Sequence, residues 1–295
     1  MGDSTLLLTP QVPGVTAPEA CDRELFSTLR AVFFVLIHVG VLGAFWFTTW
    51  PAVVMCIALH LLFGGVGICI GYHRLLTHRS FKTPKPIEYL LAFMGAMCLQ
   101  GAPIEWVALH RKHHQHSDGE GDPHSAREGF WWSHAWWVLW TPSPATWESI
   151  TARYAPDLLR VGFYRFLEKT HYLFSIAFAI LLFALGGWPF VVWGIFVRLV
   201  VTYHATWLVN SASHAFGYQS FKVKDLSTNC WWVALLSNGE GWHNNHHAFP
   251  SSARHGLRWW EFDASYILIR AMKTLGLASD LKVPSQEQMA RSAIE

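Results

Sequence analysis

The stretch Gly239-Glu-Gly-Trp-His-Asn-Asn-His-His247 places three histidines at positions i, i+3 and i+4. Residues at this spacing lie on one face of a helix, so their imidazoles form a face that can bind metal. The stretch His110-Arg-Lys-His-His114 repeats the spacing, and His73-Arg-Leu-Leu-Thr-His78 adds a third cluster. The eight clustered histidines are His73, His78, His110, His113, His114, His243, His246 and His247.

Eight histidines exceed what one tetrahedral zinc ion needs, and imidazole also suits iron, copper and nickel, so the clusters predict two metal ions. Asn210 and His214 lie one helical turn apart and are further candidates for the same centre. No cysteine accompanies a cluster, which argues against zinc-finger and iron–sulfur ligation. Clustering by chance or a solvated polar face explains one such motif, but not three in one chain.

The composition is that of an integral membrane protein, with 52% hydrophobic and only 14% charged residues. A net charge of +2 is too small to indicate nucleic-acid binding. Apolar runs long enough to cross a bilayer predict an all-α fold with four transmembrane helices in two hairpins. The predicted spans are residues 31–49, 52–72, 168–185 and 188–209.

Charge placement sets the predicted orientation. The turn Thr48-Thr-Trp-Pro51 is uncharged, whereas lysines and arginines flank the other side of this hairpin. The positive-inside rule therefore places both termini and all histidine clusters on the cytoplasmic side. We predict a disordered or interfacial N-terminal tail at residues 1–30 and a polar C-terminal tail at residues 278–295. Residues 31–277 are predicted to form one domain, with a cytoplasmic helical cap at residues 73–167 and 210–277.

Several other residues have weaker signals. His38 and His60 lie within predicted spans without cluster spacing, which favours packing or an interhelical hydrogen bond. Arg198 is a charge within the fourth span, and intramembrane charges are costly enough to indicate function. Three histidines near the clusters lack a partner at i+3 or i+4, and we exclude them from the metal ligands: His116, His124 and His134.

Nitrogen ligands at a membrane surface favour a redox metal that acts on a hydrophobic substrate. Attack on an unactivated C–H bond also needs a dry channel that holds the alkyl chain in one position. The apolar spans and the tryptophans of residues 131–140 can supply such a channel.

The histidine motifs, together with Asn210-x3-His214, resemble those of the membrane-bound fatty acyl desaturases of the delta-9 type, from the first span to about Pro250. The resemblance implies a di-iron centre with nine histidine ligands, and Asn210 reaching the metal through water. It implies oxygen-dependent removal of two hydrogens from a saturated acyl chain, which leaves a cis double bond. Three positions match residues at the bend of the family's substrate tunnel: Gln100, Trp106 and Thr206.

The stretches Gln100-Gly-Ala-Pro-Ile-Glu-Trp106 and Gly121-Asp-Pro-His124 resemble the cyanobacterial and plastid-like branch. Ala108 and Leu109 stand where the animal acyl-CoA enzymes carry an Arg-Asp pair, so an acyl-lipid or an acyl-CoA substrate remains open. No heme-binding His-Pro-Gly-Gly is present, which implies a separate electron donor such as a ferredoxin or a b-type cytochrome. The alternatives are an alkyl-chain hydroxylase with the same ligands, or a non-catalytic membrane metal transporter or sensor.

Overall fold

Helices dominate the part of the chain that the computed structural model describes, residues 25–294. The α-helices are α1 Thr28–Val41, α2 Trp50–Leu59, α3 Lys85–Ala96, α4 Pro103–His116, α5 Phe130–His134, α6 Pro144–Tyr154, α7 Pro156–Leu159, α8 Gly162–Val191, α9 Arg198–Ser211, α10 Trp231–Leu236, α11 His243–Ala248, α12 Ala264–Thr274 and α13 Gln286–Ser292. Wider π-type helix continues α2 over His60–Thr77 and joins α8 to α9 over Val192–Val197.

Short elements complete the described chain. Single 3-10 turns occupy Leu42–Phe45, Ala126–Glu128, Trp136–Leu139 and Ala212–His214. Strand β1 (Leu25–Phe26) pairs antiparallel with β2 (Trp140–Thr141), with Leu25 opposite Thr141. This pairing ties the start of the first apolar helix to the polar region between α4 and α8.

Three helical stretches are long and apolar enough to cross a membrane: Thr28–Phe45, Trp50–Thr77 and Gly162–His214. Large apolar side chains point outward from them, and Leu29, Phe45 and Trp50 are each more than 80% exposed. Such exposure is costly in water and natural in lipid. The chain is therefore a membrane protein.

The third of these stretches is not one straight helix. Gly187 has a φ of +64°, which interrupts the helical backbone. A Cβ atom built on Gly194 would lie 2.5 Å from Cδ1 of Leu182, although a straight helix would separate these residues by about 18 Å. The chain therefore reverses at Gly187, where the sequence predicts the turn between residues 185 and 188.

The helices extend beyond several predicted boundaries. The second apolar helix continues to Thr77, so it includes His73. Helix α1 begins at Thr28, where the Ser27 hydroxyl accepts a hydrogen bond from the backbone N–H of Arg30. Residues 1–24 of the predicted N-terminal tail lie outside the described residues. In the predicted C-terminal tail, α13 begins with a capping box formed by Ser285 and Gln288.

Glycine allows the second apolar helix to approach α3 backbone to backbone. A Cβ atom on Gly67 would lie 2.4 Å from the backbone nitrogen of Gly95. Beyond this contact, the largest buried cluster packs α3, α4, α6, α7 and α8 around Tyr72 and Leu76. Tyr72 directly precedes His73, and Leu76 lies between His73 and His78. This packing therefore fixes the first histidine cluster.

We predict that Gly67→Ala destabilises the protein by roughly 3 kcal/mol, because the new methyl group meets backbone atoms that cannot move aside. Gly162→Ala is the matched control, since its nearest neighbouring atom is 3.8 Å away. The midpoint of thermal unfolding in detergent measures the effect. Equal midpoints for the two variants would contradict the packing described here.

Candidate metal centre

Nine histidines of the described chain converge in two groups, and in each group the potential ligand atoms lie within 4.8 Å of one another. The five-histidine group contains His73, His78, His110, His114 and His246. The four-histidine group contains His113, His214, His243 and His247. The structure thus brings together every histidine singled out by the sequence motifs, including the histidine after Asn210.

Each of the two repeated motifs divides its histidines between the groups. Helix α4 directs His110 and His114 to the five-histidine group and His113 to the other. Helix α11 does the reverse, with His246 in the five-histidine group and His243 and His247 in the four-histidine group. The sequence predicts that the three histidines of each motif share one face and one group. In the structure, the residues at i and i+4 belong to one group and the residue at i+3 belongs to the other.

Carboxylates contact three of the four imidazoles in the four-histidine group. A histidine that donates through Nδ1 presents the Nε2 lone pair to a metal. The Nδ1 pairs are His113 with Asp122 at 3.0 Å, His214 with Asp118 at 2.8 Å and His247 with Asp225 at 2.8 Å. The Nε2 atoms of these three histidines are buried and have no hydrogen-bond partner within residues 25–294. This donor set fits a metal cation.

In the five-histidine group, Nε2 atoms face one another directly. The contacts are His73 to His246 at 3.1 Å, His246 to His114 at 2.9 Å and His114 to His110 at 3.1 Å. A neutral imidazole carries only one N–H, so it cannot donate to each of several neighbours. Convergent lone pairs of this kind fit a cation placed between them.

Burial favours the neutral form of several imidazoles in the two groups. It lowers the pKa of His78, His110 and His114 well below the usual value, and neighbouring imidazoles lower each pKa further. Burial lowers the pKa of His247 to about 4, even though Asp225 opposes the shift. Neutral imidazoles keep their lone pairs available, which metal binding requires.

The paired carboxylates stay ionised despite their burial. Burial raises the pKa of Asp118, but hydrogen bonds from His214 and from backbone N–H groups outweigh it and lower the pKa to about 2. The pKa of Asp122 is likewise held below its ordinary value, chiefly by His113. An ionised carboxylate accepts the Nδ1–H and fixes the tautomer of its histidine.

A second buried network supports the five-histidine group. Glu240 Oε2 lies 2.6 Å from Nδ1 of His73 and 3.0 Å from Nδ1 of His255. The fully buried Arg74 donates through Nε to Glu240 at 3.2 Å and through Nη1 to Asp263 at 3.0 Å. Burial raises the pKa of Glu240, but Arg74 and the two histidines hold it well below its usual range.

Sequence reasoning missed these supporting groups. Glu240 lies within the quoted third motif, and Asp118 and Asp122 follow the second motif closely, so proximity was an available signal. Asp225 and His255 carry no comparable signal. His124, which the sequence analysis excludes from the ligands, packs its ring 4.2 Å from that of His113.

The other histidines form ordinary hydrogen bonds. His38 Nε2 lies 3.2 Å from Nε2 of His204, and His60 Nδ1 lies 2.9 Å from the Thr202 hydroxyl. The interhelical role predicted for the two span histidines is confirmed. His116 and His134 also contact residues outside the metal groups, Tyr154 and Ser211.

Two cavities meet beside the histidine groups. The larger cavity, of about 230 Å³, and the smaller cavity, of about 60 Å³, share Trp106, His110, Thr206 and Asn210 as lining residues. Trp106 stacks on His110 with ring centroids 4.9 Å apart. Gln100 donates to the Thr206 hydroxyl at 3.0 Å. The three residues matched to the tunnel bend therefore gather where the cavities join.

The fold and site define a class: a membrane protein with a buried, histidine-rich centre suited to metal, next to a cavity with apolar walls. Residues 48–277 match the family described as Fatty acid desaturase, and the chain belongs to this family. It is an oxidoreductase that desaturates fatty acyl chains.

Cyanobacterial relatives are similar over most of their length. The chain is 49% identical to the sn-1 stearoyl-lipid 9-desaturase of Anabaena variabilis, over 90% of this chain and 97% of the relative. It is 49% identical to the sn-2 palmitoyl-lipid 9-desaturase of Nostoc sp., over 90% of this chain and 93% of the relative. It is 50% identical to the sn-1 stearoyl-lipid 9-desaturase of Synechocystis sp., over 88% and 82%.

We predict that Asp225→Asn weakens metal binding at the four-histidine group by about 10- to 100-fold, because His247 loses the carboxylate that orients it. Metal content after dialysis against graded chelator measures this. Asp280→Asn is the control, since Asp280 forms only an exposed ion pair with Lys82. Identical chelator curves for both variants would show that Asp225 does not support the centre.

Proposed function

We propose that this desaturase introduces a cis double bond at delta-9 of a saturated acyl chain esterified to a membrane lipid. The observation that carries the proposal is the junction of two cavities beside nine converging histidines. The names of the cyanobacterial relatives, stearoyl-lipid and palmitoyl-lipid 9-desaturases, support the lipid carrier and the bond position.

The nine histidines would bind two iron ions, one in each group, and Asn210 would approach the centre through water. Support comes from an all-nitrogen donor set without cysteine and from the unpartnered Nε2 atoms among the described residues. When bound, iron supplies the dioxygen activation that removal of hydrogen from an unactivated C–H bond requires.

The protein residues would orient the acyl chain. In this proposal the acyl chain enters the larger cavity, bends past Gln100, Trp106 and Thr206, and ends in the smaller cavity near His60 and Thr202. A bent channel presents one pair of carbons to the centre, because the chain can bend only where the walls bend. Aromatic walls exclude water, which protects the reaction from side reactions.

We further propose four membrane crossings, with the histidine cap and both termini on the cytoplasmic side. The reversal at Gly187 supports a second hairpin, and the histidines lie at the same ends of both hairpins. In this arrangement residues 31–277 form one domain, and a separate ferredoxin or b-type cytochrome reaches the cap to deliver electrons.

The direct test expresses the protein in a host that lacks its own desaturase and supplies an electron donor. We expect a new cis delta-9 monoene in membrane lipids, identified by gas chromatography with mass spectrometry. Analysis of separated lipid classes decides between a lipid and a CoA carrier. A hydroxylated acyl chain from iron-loaded protein would instead support the alkyl-chain hydroxylase.

His113→Ala and His246→Ala each remove one imidazole from a different group, and we expect each to lower desaturation at least about 100-fold. Both variants should still accumulate in the membrane. His116→Ala is the matched control on the same helix as His113, because His116 contacts Tyr154 and belongs to neither group. Product yield and bound iron are measured together, and full activity in either ligand variant would refute the assignment.

A further inference from the structure

Arg198 is a fully buried cation at the start of α9, within the apolar stretch Gly162–His214. No carboxylate forms an ion pair with it among the residues that the structure describes. Its guanidinium instead lies 5.1 Å from the ring centre of Phe63. A buried charge without a counterion is costly in a membrane and indicates a specific use.

The hydrogen bonds of Arg198 show which segment it holds. Its Nε donates to the carbonyl of Gly194 at 2.6 Å, one turn earlier on its own helix. Its Nη2 donates to the carbonyl of Met97 at 3.2 Å. Met97 follows the end of α3 and begins the loop that leads to α4. Arg198 therefore joins α9 to this loop, which we define as residues 97–101.

The same loop is attached to α9 at two further points. The Tyr203 hydroxyl donates to the carbonyl of Leu99 at 2.8 Å. The Gln100 side chain donates to the Thr206 hydroxyl at 3.0 Å and to the Thr202 carbonyl at 3.4 Å. Arg198, Thr202 and Thr206 recur at every fourth residue, so they form one stripe along the helix.

The loop needs these attachments because its backbone is strained. Leu99 has a φ of +51°, in the left-handed region that a branched apolar residue rarely adopts. Such a conformation persists only where surrounding contacts fix it. Gln100 directly follows Leu99 and lines the larger cavity. A change at Leu99 therefore moves the side chain that borders the cavity junction.

We propose that Arg198 is a positioning residue for desaturation: it fixes loop 97–101 against α9 so that Gln100 shapes the bend of the acyl channel. The inference rests on the proposed function. Arg198 touches neither cavity, and it acts through the loop carbonyl it holds. Arginine suits this role because its planar fork reaches two carbonyls at once, whereas a lysine ammonium is a single point charge.

Arg198→Met keeps the apolar stem of the side chain and removes the donors. We expect a rise of roughly tenfold in double bonds at positions other than the wild-type position, because small displacements of a positioning group have large effects on reaction geometry. Bound iron should remain at the wild-type level. Arg198→Lys, which can reach one carbonyl, should give an intermediate product distribution. Positional isomers are quantified by mass spectrometry of the product monoenes.

A double-mutant cycle tests whether Arg198 acts through Gln100. The double variant Arg198→Met and Gln100→Met should place no larger fraction of double bonds at other positions than the more severe single variant does. Both substitutions disturb the same contact between the loop and α9, so their effects should not add. Independent, additive effects would overturn the proposal. So would Arg198→Met with normal iron and the wild-type product position.

Tyr203→Phe tests the role of the loop if the Arg198→Met variant fails to accumulate in the membrane. It keeps the buried charge and removes one hydroxyl bond to the same loop. We expect the same shift in product position, and a wild-type distribution would overturn the proposal. Tyr164→Phe is the matched control, because its buried hydroxyl bonds Glu88 instead of the loop. These variants are compared only if the wild-type protein is active. An inactive wild-type protein would refute the proposed function and not the role of Arg198.

Discussion

The pairing of buried carboxylates with the Nδ1 atoms of histidines is the interaction on which the centre depends. Each carboxylate accepts a hydrogen bond from the Nδ1–H of its imidazole, which leaves Nε2 as a lone pair facing the other histidines. Without Asp118, the ring of His214 could rotate or change tautomer, and its lone pair would no longer meet those of its neighbours. The carboxylates thus orient four of the nine histidines toward their neighbours.

The divided use of the two i, i+3, i+4 motifs places the metal groups side by side. Helix α4 and helix α11 each contribute to both groups, so each group draws histidines from both helices. The closeness of the two groups therefore follows from the spacing of histidines on two short helical segments. In this arrangement a one-residue slip in spacing would turn His113 or His246 away from its group.

The local part of this design could be predicted from the sequence. Apolar runs of sufficient length identify the membrane helices, and cluster spacing identifies eight of the nine histidines. The ninth, His214, is indicated by its position one helical turn after Asn210. The reversal at Gly187 was also predicted, since two successive glycines lie between apolar runs. These features depend on residues that are close in the chain.

Contacts between distant residues could not be predicted in this way. Asp225 and His247 lie 22 residues apart, and Arg74 and Glu240 lie 166 residues apart, so no spacing rule relates them. The extension of the second helix to Thr77 also escaped prediction, because hydropathy falls at His73 while tertiary packing continues the helix. Propensity and hydropathy describe a residue's own environment, whereas these features depend on what packs against it.

Helix α9 shows how a membrane segment can carry polar groups without exposing them to lipid. Val201 faces outward and is 45% exposed, whereas Tyr203 is buried against the first apolar helix. Two of its hydroxyl groups have partners inside the protein, Thr202 with His60 and Thr206 with Gln100. Because unsatisfied polar groups are costly in hydrocarbon, they are confined to places where other protein groups can bond them. In α9 Thr202 and Thr206 lie along the cavities, whereas Arg198 lies one turn earlier and bonds the loop that carries Gln100.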